Sequence, residues 1–441
     1  MSTEMSKMNI DELQKVHCIG IGGIGVSALA RMFLSREVAV SGSDMALSEI
    51  TALLEGKGVT VHEGHDAKNV PEDVDMVVYS PAVRAENPEY DEVKRRGIPL
   101  LSYPEVLGLL SQSMKTIAVS GTHGKTTTTA MIAHIALKAG LSPTVIAGSL
   151  MHPLPEWGVP ERTNFIAGTS DLFIVEACEY RRSFLALHPD ILVITNIEED
   201  HLDYYADLAD IQSAFSSLVS QMKEGGHVVC RPKDASIAPV VKGTESVDYG
   251  AVSATLSLKV LGKHNEENAR AAVAAARALG ISENIATKAL EDFPGTWRRG
   301  EYKGSLMSGA KVYDDYAHHP TEICATLAGF REAFSNAHIS VIFQPHLYSR
   351  TKLLMDDFTQ SFGDADTVII ADIYAAREKD DGTVHARDLV ERIQKEGKDA
   401  VYGGSLTDIT QSLSNKEYTG NDIIITMGAG DVYTIDESFL V

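Results

Sequence analysis

Short apolar runs alternate with amphipathic stretches along nearly the whole chain. VHCIGIG (16–22) is followed by the helix-like VSALARMFLS (26–35) and then by EVAVSGSD (37–44). Apolar runs of this length, bounded by turn residues, predict buried parallel strands; the 3.6-residue periodicity between them predicts covering helices. VTVHEG, DMVVYSPAV and IPLLS continue the pattern to about residue 112. A second block opens with the strand TIAVSG (116–121) and the helix TTTTAMIAHIALKAG. Its further strands are LFIVEA (172–177) and ILVITN (191–196), and ENARAAVAAARALG (267–280) reads as a helix near its end. FPGTWRRGEYKG (293–304) reads as a linker, after which AKVYDD, SVIFQP, TVIIADI, DAVY and DIIITMG alternate with helices.

These blocks predict an α/β protein of three domains, with boundaries at 1–112, 113–300 and 301–441. The first and third read as Rossmann-like, the second as a P-loop-type ATPase domain. Composition narrows the function. With 39 basic and 61 acidic residues the net charge is −22, which disfavours a nucleic-acid backbone as partner. Four scattered cysteines (Cys18, Cys178, Cys230, Cys324) suit a reducing cytoplasm and lack zinc-site spacing. The polar start MSTEMSKMNIDELQKV and the absence of a long apolar run predict no leader and no membrane insertion.

Candidate chemistry lies where strands end. Gly20-Ile21-Gly22-Gly23-Ile24-Gly25 follows the first strand, and Asp44 ends the second. Such glycines let a diphosphate approach a helix N-terminus, and an acid there can take a ribose hydroxyl. A nicotinamide dinucleotide and a UDP-sugar share that diphosphate. AVSGTHGKTTTT (118–129) departs from the usual phosphate-loop spacing, since Val119 stands where a glycine is expected. Its Gly121–Lys125 turn can still form an anion nest, with Lys125 on the terminal phosphates and the Thr126 hydroxyl on Mg²⁺. Glu176 and Asn196 end neighbouring strands, and His201 follows in IEEDHLDYY; a carboxylate with a neutral imidazole can hold a hard metal. In His264-Asn265-Glu266-Glu267-Asn268, Asn265 is a candidate helix cap and Asn268 a candidate adenine contact. Asp314-Asp315-Tyr316-Ala317-His318-His319-Pro320 joins a strand to a helix and reads either as site chemistry or as capping. Gln344-Pro345-His346-Leu347-Tyr348-Ser349-Arg350 offers Arg350 as a carboxylate clamp, and Met427-Gly428-Ala429-Gly430-Asp431 is a weaker glycine turn.

Together, HCIGIGGIGVSALA, GTHGKTTTT, NIEEDHLDYY, DDYAHHPTEI, FQPHLYSRT and MGAGD resemble the Mur ligases of bacterial peptidoglycan synthesis, across about residues 16–433. The family's loop reads Gly-Thr-x-Gly-Lys-Thr-Thr, which matches the shortened spacing. The resemblance implies a UDP-binding domain, a central ATPase domain and a closing C-terminal domain. It implies an ADP-forming condensation of UDP-N-acetylmuramate with L-alanine through an acyl phosphate. It further implies that Gly121, Thr122, His123, Gly124, Lys125, Thr126, Thr127, Asn268 and Asp315 handle ATP. Thr126, Glu176 and His201 would ligate two Mg²⁺ ions, with Mn²⁺ a substitute. Gly22, Gly23, Ile24, Gly25, Asp44, Arg298 and Arg299 would hold the UDP-sugar. Tyr316, His318 and Arg350 would hold the amino acid, with Lys125, His201 and His318 the catalytic candidates.

Some positions depart from the family pattern. Glu176-Ala-Cys-Glu179-Tyr-Arg181 replaces Glu-Ala-Asp-Glu-Ser-Asp, Gly300 follows the arginine pair, and Leu347 stands in place of an arginine. The stretch 207–219 has no lysine to carry the carbamate of sister ligases. Three rival functions are a nicotinamide oxidoreductase, an ATP-driven switch and a recycling ligase that adds a tripeptide. The last has Cys-Gly-Thr where this chain has Gly22-Gly23-Ile24.

Overall fold

A computed structural model describes residues 10–84, 86–202, 204–376 and 378–440. Residues 1–9 of the polar start and Asp203 of NIEEDHLDYY lie outside the described residues. The chain divides into two compact units, Met1–Ser257 with Glu267–Phe293, and Leu258–Glu266 with Pro294–Val441.

The first unit holds two sheets. Strands β1 (Lys15–Ile19), β2 (Ala39–Asp44), β3 (Thr60–Glu63), β4 (Met76–Tyr79) and β5 (Leu100–Ser102) form a parallel sheet in the order β3-β2-β1-β4-β5. The chain steps one way from β1 and then the other, so the crevice past β1 is a topological switch point. The helix Ile24–Ser35 leaves that crevice and buries Val26, Leu29, Met32 and Phe33. The helix Pro88–Arg96 is fully punctuated by its sequence. Asn87 caps it by accepting from the Glu89 and Tyr90 amides, proline opens it, and Gly97 ends it at φ 66°.

Seven strands build the second sheet: β6 (Lys115–Ser120), β7 (Thr144–Met151), β8 (Thr163–Ile166), β9 (Leu172–Glu176), β10 (Ile191–Ile194), β11 (His227–Cys230) and β12 (Ser246–Asp248). Their order is β12-β11-β10-β6-β9-β7-β8, antiparallel only at β7–β8. The apolar faces of both sheets and their helices merge into one core that includes Val16, Phe33, Phe173, Phe184 and Phe215.

The second unit contains β13 (Glu301–Ser305), β14 (Lys311–Asp315), β15 (His338–Phe343), β16 (Thr367–Ala371), β17 (Asp399–Gly404) and β18 (Asp422–Met427), in the order β13-β14-β18-β15-β16-β17. Only β13 is antiparallel to its neighbour. The stretch expected to be a linker therefore ends in an edge strand. The helix expected from 267 starts earlier, at Lys263. Asn265 thus lies inside the helix and not at its cap, donating its side-chain amide back to the Leu261 carbonyl at 2.7 Å. No helix among the described residues is long and apolar enough to cross a membrane.

Candidate active site

The turn after β6 forms the centre of the site. Gly121 has φ 135°, and a Cβ there would sit 2.0 Å from Thr195 Oγ1; Gly124 has φ 80°, and a Cβ would meet Asn268 Oδ1 at 2.3 Å. Both positions require glycine on backbone and space grounds. Residues at the end of β10 grip the turn: Asn196 Oδ1 accepts from the His123 amide at 2.8 Å, and Thr195 Oγ1 donates to the His123 carbonyl at 2.6 Å. Thr122 Oγ1 accepts from the Glu198 amide at 2.8 Å. The helix Lys125–Lys138 begins directly after Gly124, and among the described residues no side chain caps it. Its first-turn amides, from Lys125, Thr126 and Thr127, point out of the helix start and suit an anion.

Charged groups surround those amides. Lys125 Nζ donates to the Gly121 carbonyl (2.7 Å), the Thr122 carbonyl (2.9 Å) and Glu179 Oε1 (3.0 Å). Burial works against the ammonium charge, but Glu179, then Cys178 and Glu176, outweigh it and hold Lys125 above the ordinary lysine range. Burial pushes Glu179 up, and the Lys125 charge and the His201 hydrogen bond more than reverse this, leaving it below the ordinary range. Tyr205 fixes this segment by donating to the Glu179 carbonyl at 2.5 Å. His201 Nε2 lies 3.5 Å from Glu179 Oε1. The His201 backbone is left-handed at φ 54°, a strained conformation for histidine. The Asp200 carboxylate helps hold it by accepting the His201 amide at 2.7 Å.

Thr126 Oγ1 donates to Glu176 Oε2 at 2.8 Å, and the Gly148 amide donates to the same oxygen at 2.6 Å. Among the described residues no three His, Cys, Asp or Glu side chains form a ready-made metal cluster. That suits Mg²⁺, which takes one or two protein oxygens and completes its shell with phosphates and water. Thr126 and Glu176 supply such oxygens at the mouth of an anion nest, so the residues present fit the ion.

The first glycine turn lies past β1. Gly22 donates its amide to Asp44 Oδ2 at 2.8 Å, and the helix Ile24–Ser35 follows Gly23, again with no side-chain cap among the described residues. The structure thus brings Gly22, Gly23, Ile24, Gly25 and Asp44 together.

In the second unit, Tyr316, His318, His346 and Arg350 form a chain of contacts. The Tyr316 and His318 rings are 5.4 Å apart, the His318 and His346 rings 6.0 Å, and Arg350 Nη1 lies 3.2 Å from His346 Nδ1. Glu322 joins this group: it accepts the His318 amide at 3.1 Å and lies 3.5 Å from Arg299 Nη1. His319, one of the paired histidines, is the helix cap and accepts from the Thr321 amide. His346 and Glu322 were not expected as site residues, although His346 stands in a motif singled out above.

Two expected ligand contacts are occupied within the second unit. Arg298 is 2 % exposed and was expected on the UDP-sugar. Its Nε donates to Asp314 at 2.7 Å, and its terminal nitrogens donate to the Gly430 (2.8 Å) and Gly428 (2.6 Å) carbonyls. These bonds make Arg298 an anchor for the MGAGD turn; Arg299 is the more accessible of the pair. Asp315, expected on ATP, is buried and accepts the Gly300 amide at 2.6 Å and the Ala317 amide at 2.8 Å. Burial, opposed by Arg299, pushes its carboxyl up to about 6. These bonds make Asp315 an organiser of the turn.

A switch-point glycine turn and a lysine-bearing phosphate loop in successive α/β sheets define a nucleotide-binding protein with counter-charge for a terminal phosphate. Three family models match the chain: Mur ligase family, catalytic domain, over 15–115; Mur ligase middle domain, over 119–252; and Mur ligase, glutamate ligase domain, over 298–430. The chain belongs to the Mur ligase family. It is 41 % identical to the UDP-N-acetylmuramate–L-alanine ligase of Acetivibrio thermocellus, over 99 % of this chain and 98 % of the relative. It is also 41 % identical to that of Clostridium acetobutylicum, over 98 % of each. The solved UDP-N-acetylmuramate–alanine ligase of Thermotoga maritima superimposes with a TM-score of 0.80 at 30 % identity, over 96 % of this chain and 98 % of that one. A murein peptide ligase from Psychrobacter arcticus gives a TM-score of 0.68 at 25 % identity, over 97 % and 98 %.

Proposed function

We propose that this chain joins L-alanine to the lactyl carboxylate of UDP-N-acetylmuramate in the cytoplasm, converting ATP to ADP and phosphate during peptidoglycan precursor synthesis. The observation that carries this reading is the pairing of Lys125 with Glu179 and of Thr126 with Glu176 around an uncapped helix start. Full-length likeness to ligases of that name supports it.

A lactyl carboxylate oxygen attacks the γ-phosphorus, and the bond to the ADP oxygen breaks. The alanine nitrogen then attacks the acyl carbon, phosphate leaves, and the nitrogen loses a proton. Two anions meet in the first step, so their repulsion must be neutralised. Lys125 does this by turning from Glu179 toward the transferring phosphate, while the Lys125, Thr126 and Thr127 amides hold the phosphate oxygens. Thr126 and Glu176 would hold a Mg²⁺ ion, which when bound neutralises phosphate charge and polarises the phosphoryl group. Glu179 and His201 would serve a second ion, for which Mn²⁺ could substitute. Asn268 keeps the loop in register by packing against Gly124. His201 and His318 are the candidate bases for the amine proton, and Tyr316, His318 and Arg350 receive the amino acid.

The test is phosphate release with ATP, Mg²⁺ and UDP-N-acetylmuramate, adding L-alanine, L-serine, glycine or the free tripeptide in turn. Release should require the sugar nucleotide and respond most to L-alanine. Release independent of the sugar nucleotide contradicts the ligase reading, and preference for the tripeptide establishes the recycling reaction instead.

A further inference from the structure

Behind the first glycine turn lies a buried carboxylate that the chemistry above does not use. Glu89, on the helix Pro88–Arg96, is 0 % exposed. Its Oε2 accepts from Ser43 Oγ at 2.7 Å and lies 3.0 Å from His17 Nε2. Its Oε1 accepts from Asn69 Nδ2 at 2.9 Å and from the Asp66 amide at 3.2 Å, and lies 3.4 Å from His65 Nδ1. Burial alone would raise the Glu89 carboxyl. The hydrogen bonds from His17, Ser43 and Asn69 outweigh it and hold the group at about 2.

Each partner belongs to β1, β2 or the loop past β3. Ser43 directly precedes Asp44, whose carbonyl accepts the Gly64 amide at 2.7 Å, and His65 follows Gly64. Glu89 therefore ties the middle of β1 to the loop past β3 and to the end of β2, whose Ser43 carbonyl accepts the Gly20 and Ile21 amides of the first glycine turn. The hydrogen-bond directions also fix a tautomer. Ser43 has one hydroxyl proton, and Glu89, an ionised carboxylate, can only accept it. Toward His65 Nδ1, 2.9 Å away, Ser43 Oγ must then act as acceptor, so Nδ1 carries the imidazole proton. In the neutral ring Nε2 remains a pure acceptor, on a side chain that is 12 % exposed and follows the Gly64 amide bound to the Asp44 carbonyl.

We propose that Glu89 is a positioning residue of the sugar-nucleotide site: through Ser43 it sets His65 Nε2 as an acceptor for an N–H or O–H of the bound nucleoside. This rests on the proposed substrate. The ligand chemistry is a nucleoside that presents a donor, a ribose hydroxyl or a base imide, to His65. Glu89→Gln keeps the shape but brings an amide that can donate to Ser43, which frees the serine proton to point at His65 and reverses the relay.

The experiment is calorimetric titration of UDP-N-acetylmuramate into full-length wild type, Glu89→Gln, His65→Ala and the double variant, with steady-state kinetics on each. Glu89→Gln should weaken sugar-nucleotide binding about tenfold, while kcat at saturation and the KM for ATP stay unchanged. The double variant should bind no worse than His65→Ala, because both act through one nitrogen. Unchanged affinity in a folded Glu89→Gln, or losses that multiply in the double variant, would overturn the proposal. If Glu89→Gln does not fold, Ser43→Ala interrupts the same relay and must give the same tenfold loss. A wild type that does not bind UDP-N-acetylmuramate would instead remove the proposed substrate.

Discussion

Two glycine turns occupy equivalent places in the first and second sheets, yet their surroundings differ. Each follows a switch-point strand, β1 or β6, and each leads into a helix that starts on glycine with no side-chain cap among the described residues. The first turn is bordered by the Asp44 carboxylate and the Tyr103 ring, and its six residues include no lysine. The second carries Lys125, with Glu176 and Glu179 within reach. The backbone device is the same: amide dipoles aimed at an anion. A diphosphate that is only held needs little more. A phosphoryl group in transfer changes its charge distribution, and the site must hold mobile counter-charge for it. The difference in side chains supports the proposal that the first turn holds and the second transfers.

The largest effect should come from the second turn. Lys125→Ala should lower kcat by about a thousandfold or more in a phosphate-release assay, since it removes the transferring group's counter-charge. Glu176→Gln should lower kcat/KM about a hundredfold, and a Mg²⁺ titration should show a raised half-saturation concentration. Gly25→Ala places a methyl about 2.8 Å from the Tyr103 ring. It should raise the KM for UDP-N-acetylmuramate roughly tenfold and leave the KM for ATP alone; equal changes in both would break the division between the turns. The smallest effect is on stability. Glu89 is held at about 2 in the fold against an ordinary 4.5. Between those values the unfolded chain binds more protons, so this contribution is complete above pH ~4.5 and is lost as pH falls toward ~2. The gap in Tm between wild type and Glu89→Gln should therefore narrow on acidification from pH ~6 to pH ~3.

The central parallel strands were legible because fully buried strands read as apolar runs between turn residues. β7 was not, since TVIAGSLM carries glycine and serine and alternates poorly; β8 and β12 are short strands at the two edges of their sheet, and β11 lies next to β12. β13 hid within a stretch rich in glycine and charge because it is an edge strand paired on one side. Glu176 at a strand end, Lys125 at a helix start and His201 past a strand could be positioned from local pattern alone. Arg298 could not: its partners Asp314, Gly428 and Gly430 come from distant parts of the chain, and only the fold shows its guanidinium enclosed. Glu89 was missed for a similar reason, because on sequence it is an ordinary acid in the first turn of a well-capped helix.

The most direct test of the division between the turns is calorimetry of UDP-N-acetylmuramate binding to Lys125→Ala, alongside its turnover. The account predicts wild-type affinity for the sugar nucleotide with turnover abolished. Loss of both in a folded protein would contradict it, because the two turns would then form one site and not two.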